Sequence, residues 1–486
     1  MQNENGQAQE DVQEQSIGLG DAIKKGFGET IDTLKAFTNA PREILGLNII
    51  NVIEGTVYFG TLTILAVFLT GADLGISDEE AGILLGIFTG GITISQFFFG
   101  GIGDKLGPVK ALGIALFIML LGRFLLAQST VLFGEGTVLS TLWETSTPLW
   151  SPLFVAIAVS LLLVALVYGL YQPSIYSLTK RFSTERTSAV SFAMLYAGMN
   201  LGAFAAGIYM PGLRRFGAQS SGGTGFPLVL GVLASLAFIS IIAYFTLVRG
   251  GKERVSDETQ TEASTSAPIP EVPHTKLWQR LKNHPLFDLR FMFFIFILIP
   301  VQTLFAHQWL TIPAYLNRSY DPIVSDNFEF FSNLNPLIIF ILAPIVAAAT
   351  ARASVYKMMI LGTLVMAAPT FLLCIGQIPA IFLSYVLLMS IGEAMWQPRF
   401  LQHVAEIAPK DKVGAYMGIA QLPWFLTKFI TSLYSGYFLA NYVPETGPQD
   451  PQSMWFIYAL IAMISPIALI VAKKWFDKKP MMQQNS

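Results

Sequence analysis

Charge and cysteine are both scarce in this sequence. Only 13% of its 486 residues are Asp, Glu, Lys or Arg, about half the share in an average soluble domain. The net charge of −2 gives no support for nucleic acid as a partner. The single cysteine, Cys374, excludes an intrachain disulfide framework and a cysteine-based zinc site.

Several catalytic and targeting motifs are also missing. The sequence has no GxxxxGK[ST] phosphate loop, no HExxH zinc motif and no GxSxG nucleophile turn. We therefore expect neither an enzyme nor a bound cofactor or metal. The first forty residues lack the pattern of a signal peptide, so we expect membrane insertion to begin with the first spanning helix.

Long apolar runs are what the sequence has in abundance, since 53% of its residues are hydrophobic. A helix of about 20 apolar residues crosses a hydrocarbon core of ~30 Å. We place twelve such segments at roughly 44–69, 79–102, 111–127, 152–176, 187–211, 226–248, 290–314, 330–350, 357–376, 378–402, 414–440 and 453–472. The predicted fold class is an all-α polytopic membrane protein, with twelve transmembrane helices in two six-helix halves.

Polar stretches delimit the two predicted bundles, 44–248 and 290–472. Residues 249–289 between them are rich in Ser, Thr, Glu and Pro and cannot bury a core, which predicts a linker. The chain starts with a polar tail. Residues 17–37 then carry apolar side chains at helical spacing, which fits either a surface amphipathic helix or a loosely attached leader. Residues 473–486 form a second polar tail.

The basic residues predict how the chain is oriented. With the N-terminus inside, the outside loops contain only Arg214, Arg215 and Arg318, whereas the inside loops contain many lysines and arginines. This bias places both termini and the linker in the cytoplasm. We expect a bacterial inner-membrane protein whose surroundings are the lipid bilayer.

Few ionisable residues lie inside the predicted spans, and such residues are usually functional. Glu54 is about ten residues into the first helix, ~15 Å deep at helical rise, where burial disfavours its charged form. Glu393 is similarly deep in the tenth segment. His307 is either a proton relay or an ordinary core residue. Arg123 and Lys428 could snorkel, pair with a carboxylate or hold an anionic group of a substrate.

The turn after the second segment reads GGIGDKLGPVK. A glycine-rich turn with Asp104 and Lys105 between two spans predicts a gate, in which a charged contact forms in one conformation and breaks in the other. The alternative is ordinary loop charge.

These stretches resemble a known family. GGIGDKLGPVK is similar to the motif between helices two and three of major facilitators, in which substrate sits near the midplane between two rocking halves. YGLYQPSIYSLTKRF, ERTSAVSFAMLYAGMNLGAFAAG, FFSNLNPLIIFILAPIVA and YVLLMSIGEAMWQPRF resemble signatures of the proton-dependent oligopeptide transporters. The resemblance runs along most of both halves.

The resemblance implies roles for particular residues. The family's first helix carries ExxER, which here reads Asn51, Glu54 and Gly55, so one carboxylate remains and the arginine is gone. A helix-four lysine that helps bind the peptide's carboxylate is replaced by Gln172. Glu393 matches the position that faces the peptide's amino group. The implied substrate-binding residues are Asn51, Tyr58, Gln172, Tyr196, Asn200, Gln308, Asn335, Glu393 and Trp424. Proton coupling is assigned to Glu54 or His307.

The sequence thus predicts a secondary transporter, expected as a monomer, that moves a small peptide-like or amine-bearing solute by alternating access. Protons are the expected coupling ion. A drug or metabolite exporter and a non-transporting membrane receptor are the alternatives, and the gate turn argues against the receptor.

The predicted topology can be tested at the linker. A cysteine at Ser264, in a Cys374→Ser background, should react with a membrane-impermeant thiol reagent only from the cytoplasmic side. Labelling of intact cells from outside would contradict the twelve-helix arrangement, and the background variant without the added cysteine is the control.

Overall fold

Helices account for the whole regular structure of the part of the chain that can be described. The computed structural model describes residues 41–71, 74–133, 137, 150–183, 185–221, 223–251, 287–350, 353–407, 419–420 and 422–476, with residues 24, 28 and 31. In these residues the chain forms twelve helical segments and no β-strand. Nine helices found among them are long and apolar enough to cross a membrane. The predicted fold class is confirmed.

The first six segments are nearly continuous helices. They are α1 Arg42–Thr70, α2 Asp78–Leu106, α3 Pro108–Phe133, α4 Pro152–Phe182, α5 Glu185–Ser221 and α6 Phe226–Ala243, which continues as a π-helix over Tyr244–Val248. A capping box starts α2, because Ser77 and Glu80 each accept a hydrogen bond from the other's backbone N–H. Gly107, at φ +80°, separates α2 from α3.

The other six segments are interrupted more often, so that α7 consists of three short helices and α8 of two. They are α7a Leu289–Phe296, α7b Ile299–Leu310, α7c Ile312–Ser319, α8a Phe328–Ser332, α8b Leu334–Ala349, α9 Val355–Ala367, α10 Pro379–Ile407, α11 Leu422–Tyr442 and α12 Pro451–Phe476. A 3₁₀ stretch, Ala368–Cys374, extends α9, and Pro322–Ser325 forms a single turn before α8a. Pro300 and Pro313 explain the breaks in α7, because each lies at the second residue of a new helix and cannot donate to the previous turn.

The first helix lies inside the protein. In its most apolar stretch 83% of the residues are buried, against 33–56% in the other eight candidate spans. Those other helices expose apolar side chains around the bundle, such as Phe117, Phe124 and Val471. A continuous apolar exterior is what a lipid bilayer requires, so the chain is a multi-pass membrane protein.

Glycine permits the closest helix crossings. A Cβ on Gly202 of α5 would overlap the Val52 carbonyl of α1, and one on Gly55 of α1 would overlap the Met199 carbonyl of α5. Because both obstacles are backbone, neither helix could keep its position with a larger residue. This crossing fixes the face that α1 presents to the interior.

Two predicted segments fall largely outside the described residues. These are the amphipathic helix over 17–37, of which only residues 24, 28 and 31 are described, and the linker over 249–289, of which 252–286 are not. The domain boundaries built on them therefore stay predictions.

The α1–α5 crossing predicts that Gly202→Val destabilises the protein. The new side chain would meet the Val52 carbonyl, and overpacking of this kind costs about 1–3 kcal/mol. The melting temperature of the purified protein in detergent should fall by several degrees. Gly231→Val is the matched control, because nothing lies within 4 Å of a Cβ there, and it should cost much less. Equal losses would show that the close approach is unimportant.

Candidate functional site

A cavity of about 530 Å³ lies between the two halves. Its walls come from α1, α2, α4 and α5 on one side and from α7b, α8b, α10 and α11 on the other. Aromatic rings dominate them. The lining residues are Tyr58, Phe59, Leu62, Thr89, Gln172, Tyr176, Tyr196, Met199, Phe305, Ala306, Trp309, Leu310, Ile339, Ala343, Ala394, Gln397, Phe400, Trp424 and Lys428. This volume suits a small molecule.

A second cavity of about 340 Å³ adjoins the first. The two share Phe59, Tyr176, Tyr196, Met199, Phe305, Trp309 and Gln397, and the second adds Asn51, Phe192, Leu195, Asn200, Asn335, Pro336 and Glu393. Glu393 of α10 is 3% exposed, and its Oε2 accepts a hydrogen bond from Asn335 Nδ2 at 2.9 Å. The same Asn335 amide also donates to Ser390 Oγ at 3.0 Å, which fixes Asn335 between α8b and α10.

One end of the bundle is closed by ion pairs between the halves. Arg318, at the end of α7c, donates to both carboxylate oxygens of Asp78, at the start of α2, at 2.7 and 2.9 Å. Arg214 of α5 donates from Nε to Glu329 of α8a at 2.5 Å. The four residues Asp78, Arg214, Arg318 and Glu329 are called the clamp below. Their side chains are at most 15% exposed, so little water competes for them.

Exposure along the cavity shows where it opens. Leu62 and Leu310, the lining residues nearest the clamp along their helices, are each 3% exposed. Tyr196 and Tyr176, further from the clamp, are 53% and 46% exposed. Among the described residues, the cavity wall is therefore closed beneath the clamp and exposed toward the other end of the bundle. Below the clamp, Asn333 Nδ2 also donates to Thr63 Oγ1 at 3.1 Å and ties α8 to α1.

Glu54 has two side-chain partners, although the first helix itself carries no arginine to pair with it. Arg123 of α3 donates from Nη2 to Glu54 Oε1 at 2.5 Å, and the Tyr168 hydroxyl of α4 donates to the same oxygen. Glu54 is 1% exposed and Arg123 7%. The arginine that the first helix lacks is supplied by α3, so of the roles left open for Arg123 the structure shows pairing with a carboxylate. Neither Glu54 nor Arg123 lines either of the two cavities. Tyr58, one turn after Glu54, does line the larger one.

A short chain of contacts connects this ion pair to the cavity wall. The Tyr58 and Tyr168 rings lie 5.3 Å apart, and those of Tyr168 and Tyr171 5.5 Å apart. The Tyr171 hydroxyl donates to Asn51 Oδ1 at 3.3 Å, and Asn51 Nδ2 donates to the Leu195 carbonyl at 2.6 Å. A movement of Tyr58 or Asn51 would therefore reach the groups around Glu54.

Most of the predicted substrate-binding residues do meet at the two cavities. Those that line one or both are Asn51, Tyr58, Gln172, Tyr196, Asn200, Asn335, Glu393 and Trp424. Gln308 does not, because its side chain donates to the Ser332 carbonyl at 2.5 Å inside the C-terminal half. His307 is also away from the cavities: its Nδ1 lies 2.7 Å from Thr311 Oγ1 and its Nε2 2.9 Å from the Tyr434 hydroxyl.

The predicted gate residues lie at the end of α2 that points away from the clamp. Lys105 is exposed there, and the side chain of Asp104 lies outside the described residues. Their gating role stays a prediction.

Several lining residues were not among the predicted site residues, and three of these, Phe305, Trp309 and Lys428, bring aromatic rings or a charge to the C-terminal wall. Phe305 and Trp309 lie on α7b, and Lys428 lies on α11 one turn after Trp424. Helical spacing carries a signal for Lys428, because residues four apart share a face and Trp424 was already a candidate. The predicted substrate-binding residues included Gln308, which does not line the cavities, and not its neighbour Trp309, which lines both.

The family model described as Major Facilitator Superfamily matches residues 47–322 and 305–485. A search of the curated proteins found no match to this sequence.

Solved structures with the same fold include peptide transporters. A crystal structure of peptide transporter POT in complex with sulfate is 18% identical, with a TM-score of 0.63, covering 89% of this chain and 94% of its own. A POT family transporter in complex with 5-aminolevulinic acid is 16% identical, with a TM-score of 0.64 and coverages of 90% and 97%. A bacterial homologue of the human drug peptide transporters is 16% identical, with a TM-score of 0.63 and coverages of 90% and 99%. At such identities the likeness is one of fold.

The clamp predicts how the closed end can be opened. Arg318→Ala should leave Asp78 without its partner and favour conformations in which the halves separate there, since removing one member of a desolvated pair costs about 3–5 kcal/mol. A cysteine at Ser432, a fully buried position of α11 packed against α2, should then react with thiol reagents about tenfold faster or more. The background is Cys374→Ser.

Glu445→Ala is the control for this experiment. Glu445 also pairs with Arg318, at 3.3 Å, but it belongs to the same half and its side chain is 50% exposed. Its loss should leave labelling nearly unchanged. Equal reactivity in the Arg318→Ala and Glu445→Ala proteins would show that the Asp78 contact does not hold the end closed.

Proposed function

The chain belongs to the Major Facilitator Superfamily, and from that membership we propose that it is a proton-coupled secondary transporter of a small peptide-like or amine-bearing solute. The observation that carries this proposal is a cavity of about 530 Å³ between two six-helix halves that ion pairs hold together at one end. A site sealed on one side and accessible on the other is the arrangement that alternating access requires.

The orientation of the protein follows from its basic residues. Arg214, Arg215 and Arg318 are the cations that the charge bias assigns to the outside, and the structure places two of them in the clamp. Arg215 donates to Asn327 Oδ1 at 2.8 Å in the same region. We propose that the clamped end faces the outside of a bacterial inner membrane and that the cavity opens to the cytoplasm, with both termini cytoplasmic.

Glu393 is the proposed ligand of the solute's amine. It lines the second cavity without a cationic partner among the described residues, and Asn335 orients its carboxylate. A buried carboxylate of this kind needs a cation or a proton. Solved relatives are named as peptide transporters, and one was crystallised with 5-aminolevulinic acid, which carries a primary amine.

Glu54 is the proposed proton carrier, and Arg123 and Tyr168 control its state. Arg123 is the ionic partner of this carboxylate, and a proton on Glu54 would replace that partner. A movement transmitted from the cavity through Tyr58 and Tyr168 would weaken that contact and favour proton uptake. His307 is the weaker candidate, because both its ring nitrogens already contact hydroxyl groups of Thr311 and Tyr434.

An exporter of drugs or metabolites is the second candidate, and the aromatic walls favour it. Tyr58, Phe59, Phe305, Trp309 and Trp424 would accept a flat apolar cation as readily as a peptide side chain. The same fold and coupling serve both functions, so the direction of movement against the pH gradient distinguishes them.

Uptake into proteoliposomes tests the function directly. A panel of di- and tripeptides, 5-aminolevulinic acid and aromatic cations should be measured with and without an inward proton gradient. Accumulation of a peptide-like solute only with the gradient is expected. Proton-driven efflux of the aromatic cations would favour the exporter. Movement of no solute under either condition would oppose transport of this class.

Proton coupling predicts a specific behaviour for Glu54. Glu54→Gln should abolish accumulation driven by a pH gradient and spare counterflow exchange, which needs no net proton movement. The single variant also leaves Arg123 buried without a partner, at a cost of about 3–5 kcal/mol, and it could lose activity by unfolding.

The double variant Glu54→Gln/Arg123→Gln separates these effects. It removes both charges, so its melting temperature should recover toward that of the wild type while pH-driven accumulation stays absent. Full accumulation by the double variant would make the ion pair structural and would direct attention to His307.

A further inference from the structure

Lys428 brings an unpaired positive charge into the central cavity. It lies on α11, one turn after Trp424, and both side chains line the larger cavity. A neighbouring contact fixes the rotation of α11 against α7b, because Thr427 Oγ1 donates to Gln302 Oε1 at 3.1 Å. The ammonium itself forms no ion pair or hydrogen bond with any residue that the structure describes.

The described carboxylates nearest to the cavities do not neutralise this charge. Glu54 is paired with Arg123 outside the cavity wall. Glu393 accepts its hydrogen bond from Asn335 and has no ion pair with Lys428 within 4.0 Å. An ammonium in a water-poor cavity is costly unless an anion accompanies it. Lys428 on α11 thus offers a binding site for a negative group, and the described side chains leave that site unused.

A second donor lies on the same wall, on the neighbouring helix. Trp309 of α7b lines both cavities and is 4% exposed, and its indole N–H is buried without a hydrogen-bond partner among the described residues. A buried unpaired donor costs about 1–3 kcal/mol. Its presence beside the cavity is consistent with a polar ligand group that completes it.

Opposite charges therefore face one connected space. Lys428 lines the larger cavity and Glu393 the smaller, and the two cavities share seven lining residues, among them Trp309 and Gln397. A solute with an amine at one end and an acid at the other would satisfy both charges at once. A solute with only one of these groups would leave the other protein charge uncompensated.

We propose that Lys428 binds the acidic group of the transported solute, which is therefore a zwitterion whose amine binds Glu393. This inference rests on the proposed transport function and extends it by naming the substrate class. It also places acid recognition on the C-terminal half, whereas the resemblance located it at the helix-one arginine and helix-four lysine, which this chain lacks. Gln172 occupies the latter position.

Binding of matched ligand pairs to the full-length purified protein tests the proposal. The pairs are dialanine against its C-terminal amide and 5-aminolevulinic acid against its methyl ester, so that within each pair only the acid is removed. Affinity is measured by calorimetry. The wild type should bind each acid at least tenfold more tightly than its neutral partner. Lys428→Met should reduce that preference to about one, and Lys428→Arg should retain most of it.

Controls keep the result specific to this residue. Lys110→Met removes an exposed lysine at the start of α3 and should leave the preference intact. Lys428→Met replaces an unpaired ammonium by an apolar chain, so its melting temperature should not fall. If it does fall, Lys428→Gln, which keeps a polar group there, gives the same comparison.

The outcomes separate this inference from the proposed function. Equal binding of acids and neutral partners by the wild type, or an unchanged preference in Lys428→Met, would overturn the role of Lys428 and leave transport of amine-bearing solutes standing. Failure of the wild type to bind or transport any of the four probes would overturn the proposed function, and this inference with it.

Discussion

The ion pairs between Arg318 and Asp78 and between Arg214 and Glu329 determine the conformation in which the protein is described. They join helix ends from opposite halves at one end of the bundle. With that end closed, the described part of the cavity wall is exposed toward the other side. The contacts depend on exact helix ends. Asp78 begins a helix that Ser77 caps, and Arg318 lies in the last turn of a helix that a proline break sets apart from α7b.

Deep charges are partnered differently in the two halves. A charge buried in a low-dielectric bundle needs a partner of opposite charge. The N-terminal half meets this need with its own residues, because Glu54 pairs with Arg123. The C-terminal half does not, since Glu393 and Lys428 each lack an ionic partner among the described residues. The halves therefore differ in kind. The N-terminal half pairs its two deep charges with each other, and the C-terminal half presents two deep charges to a solute in the cavity.

The sequence was sufficient for the architecture and for much of the cavity wall. Apolar runs predict the helices because their length is set by the bilayer, and the family-like motifs predict Gln172, Tyr196 and Glu393 because each lies within a recognisable local pattern. Contacts between distant segments are different. Arg123 is 69 residues from Glu54, and Arg318 is 240 residues from Asp78. Which side chain meets which is decided by helix rotation and packing, and no local spacing encodes those.

The neutral Glu54–Arg123 pair also has an electrical consequence. Moving one elementary charge through 100 mV of membrane potential corresponds to about 2.3 kcal/mol. While the pair is intact, the N-terminal half can tilt without carrying net charge from these residues through the field. In the proposed cycle, a proton on Glu54 would leave the positive charge of Arg123 unbalanced, and that charge would move with the half. We therefore expect the membrane potential to act on this half, through these residues, only in its protonated state. Current recordings on oriented membranes would detect this. The potential would then drive one direction of the cycle and have no effect on the return step.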